Sequence, residues 1–155
     1  MARGRMLDKC ISTSRKVGSL RTDFHRLLYT WLIPHTDDFG LMDGDPYHIR
    51  YGVVPTLSRS EKQIIEALTA IKDAGLINWY RYNGTPVIEV VAFEEHQTGL
   101  HKRTTSKYQT LEDAYHSDDF RELPGTSAPT EGTEGTEQNG KSCLPDGSGK
   151  GTTDA

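Results

Sequence analysis

Residues Leu76–Phe93 read "LINWYRYNGTPVIEVVAF", and this stretch decides the fold. Asn83-Gly84 stands between two runs rich in aromatic and β-branched residues, the strongest short-range signal for a two-residue hairpin turn. Such a turn sets the register, so cross-strand partners have residue numbers summing to 167, as 83 and 84 do. That pairs Trp79 with Ile88 and Ile77 with Val90 on one face, and Asn78 with Glu89 and Tyr80 with Val87 on the other. The first face is wholly apolar and is expected to be core. The second, with Tyr80 and Tyr82, is expected to face solvent.

Upstream, "SRSEKQIIEALTAIKDAGLI" (58–77) predicts a helix with Ser60 as N-cap, a buried stripe of Ile64, Leu68 and Ile71 joined by Ile65 and Ala67, and Gly75 at the C-terminal stop. "RTDFHRLLYTWLIPHTDD" (21–38) predicts another, capped by Thr22, with Phe24, Leu27, Leu28, Trp31 and Leu32 on one side and Pro34 ending it. Between them, Asp45 caps a brief helix with Pro46 in its first position, where the missing N–H costs nothing. A short strand is expected near Gly40–Met42. Three helices followed by a hairpin give an α+β, mainly α class, with the element order of a winged helix-turn-helix. That fold alone does not fix function, because winged helices also serve as protein–protein modules.

The 155 residues carry a formal net charge of −4 that hides a split. Residues 1–109 hold 15 Lys/Arg against 12 Asp/Glu, and residues 110–155 hold 3 against 10. The expected organisation is a basic N-terminal arm (1–20), a winged-helix domain (21–95), a basic strap and polar linker (96–122), and an acidic low-complexity tail (123–155) too poor in apolar residues to order itself. No apolar run approaches the roughly 18 residues of a membrane span, no apolar core follows the N-terminal cations as in a secretory signal, and the two cysteines, Cys10 and Cys143, form no disulfide framework. A cytoplasmic setting is the expectation.

Positive charge gathered outside an ordered body points to a polyanion. In helix-turn-helix docking the second helix of the motif presents its early residues to base edges, here Arg59, Ser60, Lys62 and Gln63. Arg81 and Tyr82 beside the hairpin tip are candidates for a phosphate or groove contact. Arg3, Arg5, Lys9, Arg15 and Lys16 before the domain, and Lys102, Arg103 and Lys107 after it, are expected to act as flexible arms that release counterions from the phosphate backbone. Glu66 and Asp73 on the outer side of the same helix would oppose phosphates.

Other chemistries fit less well. Glu94, Glu95, His96 and His101 lack ligand spacing, so no metal or other cofactor is expected. Asp37, Asp38, Asp43 and Asp45 suggest a magnesium nuclease, but turn and cap chemistry around Gly40, Gly44 and Pro46 accounts for them. Trp31 and Trp79 read as core, leaving Tyr80 and Tyr82 as stacking candidates. No catalytic constellation is present, and an enzyme is not expected.

"ARGRMLDKCIS" (2–12), "RLLYTWLIPHTDDFG" (26–40), "ALTAIKDAGLINWYRYNG" (67–84), "FEEHQ" (93–97) and "SKY" (106–108), in this order, resemble the N-terminal winged-helix domain of phage and prophage replication-initiation proteins of the replisome-organiser type, related to primosomal loaders. Leu41 stands where that family tends to carry a basic residue. The resemblance implies binding of double-stranded DNA during replication initiation, with helicase or helicase-loader partners, and no catalysis. A protein–protein adaptor on the same scaffold, or a small transcriptional regulator, is the alternative.

Overall fold

The computed structural model describes residues 4–100, 103 and 105–124. Its helices are α1 (Arg15–Gly18), α2 (Asp23–Leu32), α3 (Pro46–His48), α4 (Glu61–Asp73), α5 (Phe93–His96) and α6 (Leu111–Tyr115). The strands are β1 (Leu41–Asp43), β2 (Ile77–Tyr82), β3 (Thr85–Val90) and β4 (Arg121–Glu122). The strands form one antiparallel sheet in the order β1-β3-β2-β4, giving an α+β architecture.

Local chemistry sets the ends of these elements. Thr22 Oγ1 accepts from His25 N at 3.2 Å to start α2, and Asp45 Oδ1 accepts from Tyr47 N at 2.9 Å to start α3. α3 runs on into a π-helical turn over Ile49–Val53. Ser60 and Gln63 form a reciprocal capping box at α4. At its other end Gly75 (φ 71°) donates to Lys72 O and Leu76 N donates to Ile71 O, the paired bonds of a Schellman stop that leave Leu76 buried. Asn83 and Gly84 both take positive φ, 48° and 76°, and the β2–β3 pairs follow the sum of 167 throughout.

The main core lies between the helices and one sheet face. Leu28 and Leu32 of α2, Ile64, Leu68 and Ile71 of α4, and Ile49 of the π turn pack on Ile77, Trp79, Ile88 and Val90. Trp79 Nε1 donates to Gly44 O at 3.0 Å, so the indole enters the core with its polar atom satisfied. Residues 5–20, expected to be a flexible arm, belong to this body: Val17 and Leu20 are buried, and Ile11 packs against the same cluster.

The opposite sheet face is also covered, which corrects the expectation of an exposed one. Tyr80 and Val87 are buried with Leu41 and Ala114, and Phe39, Tyr82, Tyr108, Leu111 and Phe120 close around them. Residues 105–122, expected to be strap and linker, supply this cover, and Leu123, expected to open the unordered tail, is docked on the sheet beside it. The Tyr80 hydroxyl donates to Gln109 O, β4 pairs with β2, and Leu123 N donates to Trp79 O at 3.0 Å. Glu89 Oε2 accepts from Asn78 Nδ2 and from Leu111 N, so the half-buried carboxylate on this face sits at the N-terminal end of α6. Leu41 is apolar because it lies beneath this cover.

Candidate nucleic-acid interface

The exposed side of α4 begins with the residues expected to read bases. Lys62 and Gln63 are exposed there, opposite the buried Ile64–Leu68–Ile71 stripe. Gln63 Oε1 accepts from Ser60 N at 3.0 Å and Ser60 Oγ accepts from Gln63 N at 3.2 Å. Bidentate recognition of adenine uses both ends of the amide, so Gln63 must leave its cap to make it. Arg59 is half-buried with its guanidinium 4.5 Å above the Phe24 ring, a cation–π contact that fixes α4 on α2. Its Nε is buried without a hydrogen-bond partner among the described residues.

Lys62 Nζ stands 4.0 Å from Glu66 Oε1, and such an exposed pair is worth only about 0.3–0.5 kcal/mol. Glu61, Glu66 and Asp73 share the exposed side, so α4 does not present a uniformly positive face. Beside it, burial pushes the His25 imidazole below its ordinary range, while the charge of Glu66 acts in the opposite direction.

At the hairpin, Arg81 is exposed and folds back on the turn, donating to Gly84 O at 2.9 Å. Tyr82 is half-buried against the second cluster. Tyr80 is wholly buried, so it offers no ring for base stacking; burial, with the nearby Glu89, Asp113 and Asp37 charges, pushes its hydroxyl well above the usual tyrosine range.

The flanking cations separate into two groups. Arg5 is packed within the fold: Nη2 pairs with Asp38 Oδ1 at 2.6 Å, and the guanidinium lies 5.8 Å from the Phe93 ring centroid. Arg103 pairs with Glu94 and lies over the Phe39 ring. Lys9, Arg15, Lys16 and Lys107 are exposed and form no ion pair among the described residues. Lys16 Nζ lies 3.7 Å from where a Cβ on Gly75 would stand, at the carbonyl end of α4, which favours a cation. Arg3, Lys102, His101 and residues 125–155 of the tail lie outside the described residues.

The carboxylates considered for a magnesium site are engaged in local structure. Asp37 accepts from Phe39 N, Leu41 N and the Ser106 hydroxyl, Asp38 pairs with Arg5, and Asp43 accepts from Asp45 N. A cleft of about 440 Å³ beside them is lined by Arg5, Asp43, His48 and Lys107 among others, with both signs of charge represented.

One exposed group escaped the sequence reading. Tyr47 and Tyr51, one helical turn apart, place their rings 4.6 Å apart, and the Arg50 guanidinium lies 5.0 Å over Tyr51. Tyr47 is 62% exposed and Tyr51 53%, unusual for aromatic rings with a packed core available. The i, i+4 spacing was a visible signal, obscured because Pro46, Gly52 and Pro55 draw attention to where the element ends.

Comparison with protein-family models, curated proteins and solved structures finds no match. Among the described residues, no helix is long and apolar enough to cross a membrane.

Proposed function

We propose that this protein is a winged-helix DNA-binding protein acting in the initiation of DNA replication in a phage or prophage context, without catalysis of its own. The observation that carries the reading is α4 itself, which buries one side in the core and leaves Lys62 and Gln63 exposed at a well-capped N-terminus. The order α2-β1-α3-α4-β2-β3, with β3 between β1 and β2, is compatible with a winged helix. The replication context rests on the sequence resemblance alone.

Charge decides which contacts dominate. With Glu61 and Glu66 beside Lys62, phosphate contacts from Lys9, Arg15, Lys62 and Arg81 contribute more than base readout. Arg50 with Tyr47 and Tyr51 adds a cation and two rings suited to a groove or an unpaired base. Arg5 and Arg103 serve the fold and take no part.

Fluorescence anisotropy with duplex and single-stranded oligonucleotides, titrated in salt, tests this. Duplex binding should weaken steeply with salt, and Lys62→Ala should weaken it on all sequences while reducing the salt slope by about 1. Absence of duplex binding at low salt would select the second reading, a protein–protein adaptor. The acidic residues on α4 and the exposed Tyr47–Tyr51 pair favour that alternative, and recovery of a helicase or loader by a protein without DNA affinity would establish it.

A further inference from the structure

The sequence separates Asp8 and Cys10 from His96 by more than 80 residues, yet the fold brings them together. Cys10 Sγ lies 3.8 Å from His96 Nδ1, Asp8 Oδ2 lies 3.7 Å from the same nitrogen, and the three donor atoms all fall within 4.8 Å of one another. We propose that Asp8, Cys10 and His96 form a binding site for a zinc-class divalent transition-metal ion, independent of any nucleic-acid contact.

The geometry distinguishes this from a catalytic relay. In a nucleophile–histidine–carboxylate arrangement, the nucleophile and the carboxylate use opposite ring nitrogens. Here both converge on Nδ1, the arrangement of donors gathered around a shared point. A tetrahedral zinc ion with bonds of about 2.3 Å to sulfur and 2.0–2.2 Å to nitrogen and oxygen needs donors about 3.4–3.6 Å apart. The observed S···N and N···O separations exceed that by only a few tenths of an ångström, and the S···O separation is no more than 4.8 Å, so binding the ion requires the three side chains to draw together. The donor set also selects the metal. One thiolate, one imidazole and one carboxylate suit zinc, cobalt or nickel, and disfavour magnesium and calcium, which prefer oxygen alone.

Both halves of the site are held in place. Asp8 Oδ1 accepts from Cys10 N at 2.9 Å, which orients the carboxylate and keeps its pKa below the usual range while leaving Oδ2 toward His96. Gln97, the next residue after His96, clamps Met6 from both sides: Nε2 donates to Met6 O at 2.8 Å and Met6 N donates to Oε1 at 3.2 Å. Arg5 anchors the same segment to Asp38 and lies near the Phe93 ring at the start of α5. Three half-exposed donors leave the fourth position open to water or an external ligand. Because Cys10 binds as the thiolate, occupancy releases protons and tightens as pH rises.

The test uses the full chain, reduced and stripped of metal, titrated with Co²⁺ and then Zn²⁺. One equivalent of Co²⁺ should produce thiolate-to-cobalt charge-transfer absorption with the intense visible bands of tetrahedral cobalt, and Zn²⁺ should bleach both. The signal should persist in Cys143→Ser, disappear in Cys10→Ser, and require at least about tenfold more metal in Asp8→Asn and His96→Gln, a loss in the range seen when a metal site is disturbed. Saturating Zn²⁺ should raise the Tm of wild type and Cys143→Ser, and leave that of Cys10→Ser unmoved, since a ligand bound only to the folded state stabilises it. The variants' own Tm values without metal show whether each is folded, and Asp8→Asn with His96→Gln decide the matter if Cys10→Ser is not. No charge-transfer band in wild type, or a band that follows Cys143, would overturn the assignment.

Discussion

The two faces of the β2–β3 hairpin differ in how they are covered, and the contrast shows what local pattern can reveal. On one, Ile77, Trp79, Ile88 and Val90 meet helices α2 and α4, which carry obvious apolar stripes. On the other, Tyr80 and Val87 are just as deeply buried, but Asn78 and Glu89 stand beside them and the covering segment is polar through most of its length. Periodicity identified the first cover because a helix presents its apolar residues together. The second comes from irregular chain, where Tyr108, Leu111, Ala114 and Phe120 arrive without a single period.

Substitutions on the two faces sharpen the contrast. Trp79→Ala should have the largest effect, about 4–5 kcal/mol by urea denaturation, combining a cavity with an unpaired Gly44 carbonyl. Tyr80→Ala should follow at about 3–4 kcal/mol, whereas a solvent-facing Tyr80 would cost under about 0.5 kcal/mol, so this variant measures the second cover directly. Gly44→Ala should cost about 1–3 kcal/mol by the same measurement, because its Cβ would stand 2.9 Å from the Val87 backbone and 3.0 Å from Trp79 Nε1.

Tyr80→Phe should show the smallest change at neutral pH, about 1 kcal/mol for the bond to Gln109 O. Its pH dependence is more informative. The folded protein holds the Tyr80 hydroxyl above its unfolded value of about 10, so the associated stability is fully present below that pH and is lost as pH rises toward the folded value. Between about pH 9 and 11, wild type should therefore lose more stability than Tyr80→Phe. Parallel alkaline losses would mean that the hydroxyl is not buried.

The candidate sites divide along similar lines. The exposure of Lys62 and Gln63 was legible in the sequence because it follows from helix period, and that of Arg81 because it stands beside the Asn83-Gly84 turn, although strand alternation places it on the same face as Trp79. Arg5, Arg59 and Arg103 looked equally available as charges in the sequence, but their guanidinium groups lie over Phe93, Phe24 and Phe39. A planar cation can leave water for an aromatic face, and no local pattern announces which arginine will do so. His96 was weighed with Glu94, Glu95 and His101, its neighbours in sequence, whereas its partners in space are Asp8 and Cys10.

The sequence by itself determined the helix caps at Thr22, Asp45 and Ser60, the stop at Gly75, the Asn83-Gly84 turn, the β2–β3 register and the apolar face that seeds the main core. Each of these depends on a residue and its near neighbours, through side-chain-to-backbone bonds, allowed φ or strict alternation. Tertiary structure alone decided that residues 105–124 seal the second sheet face, that Arg5 enters the fold, and that Asp8 and Cys10 reach His96. These outcomes depend on which surfaces remain apolar once the first core has formed, and on contacts across 22 to 91 residues that leave no periodic trace in the chain.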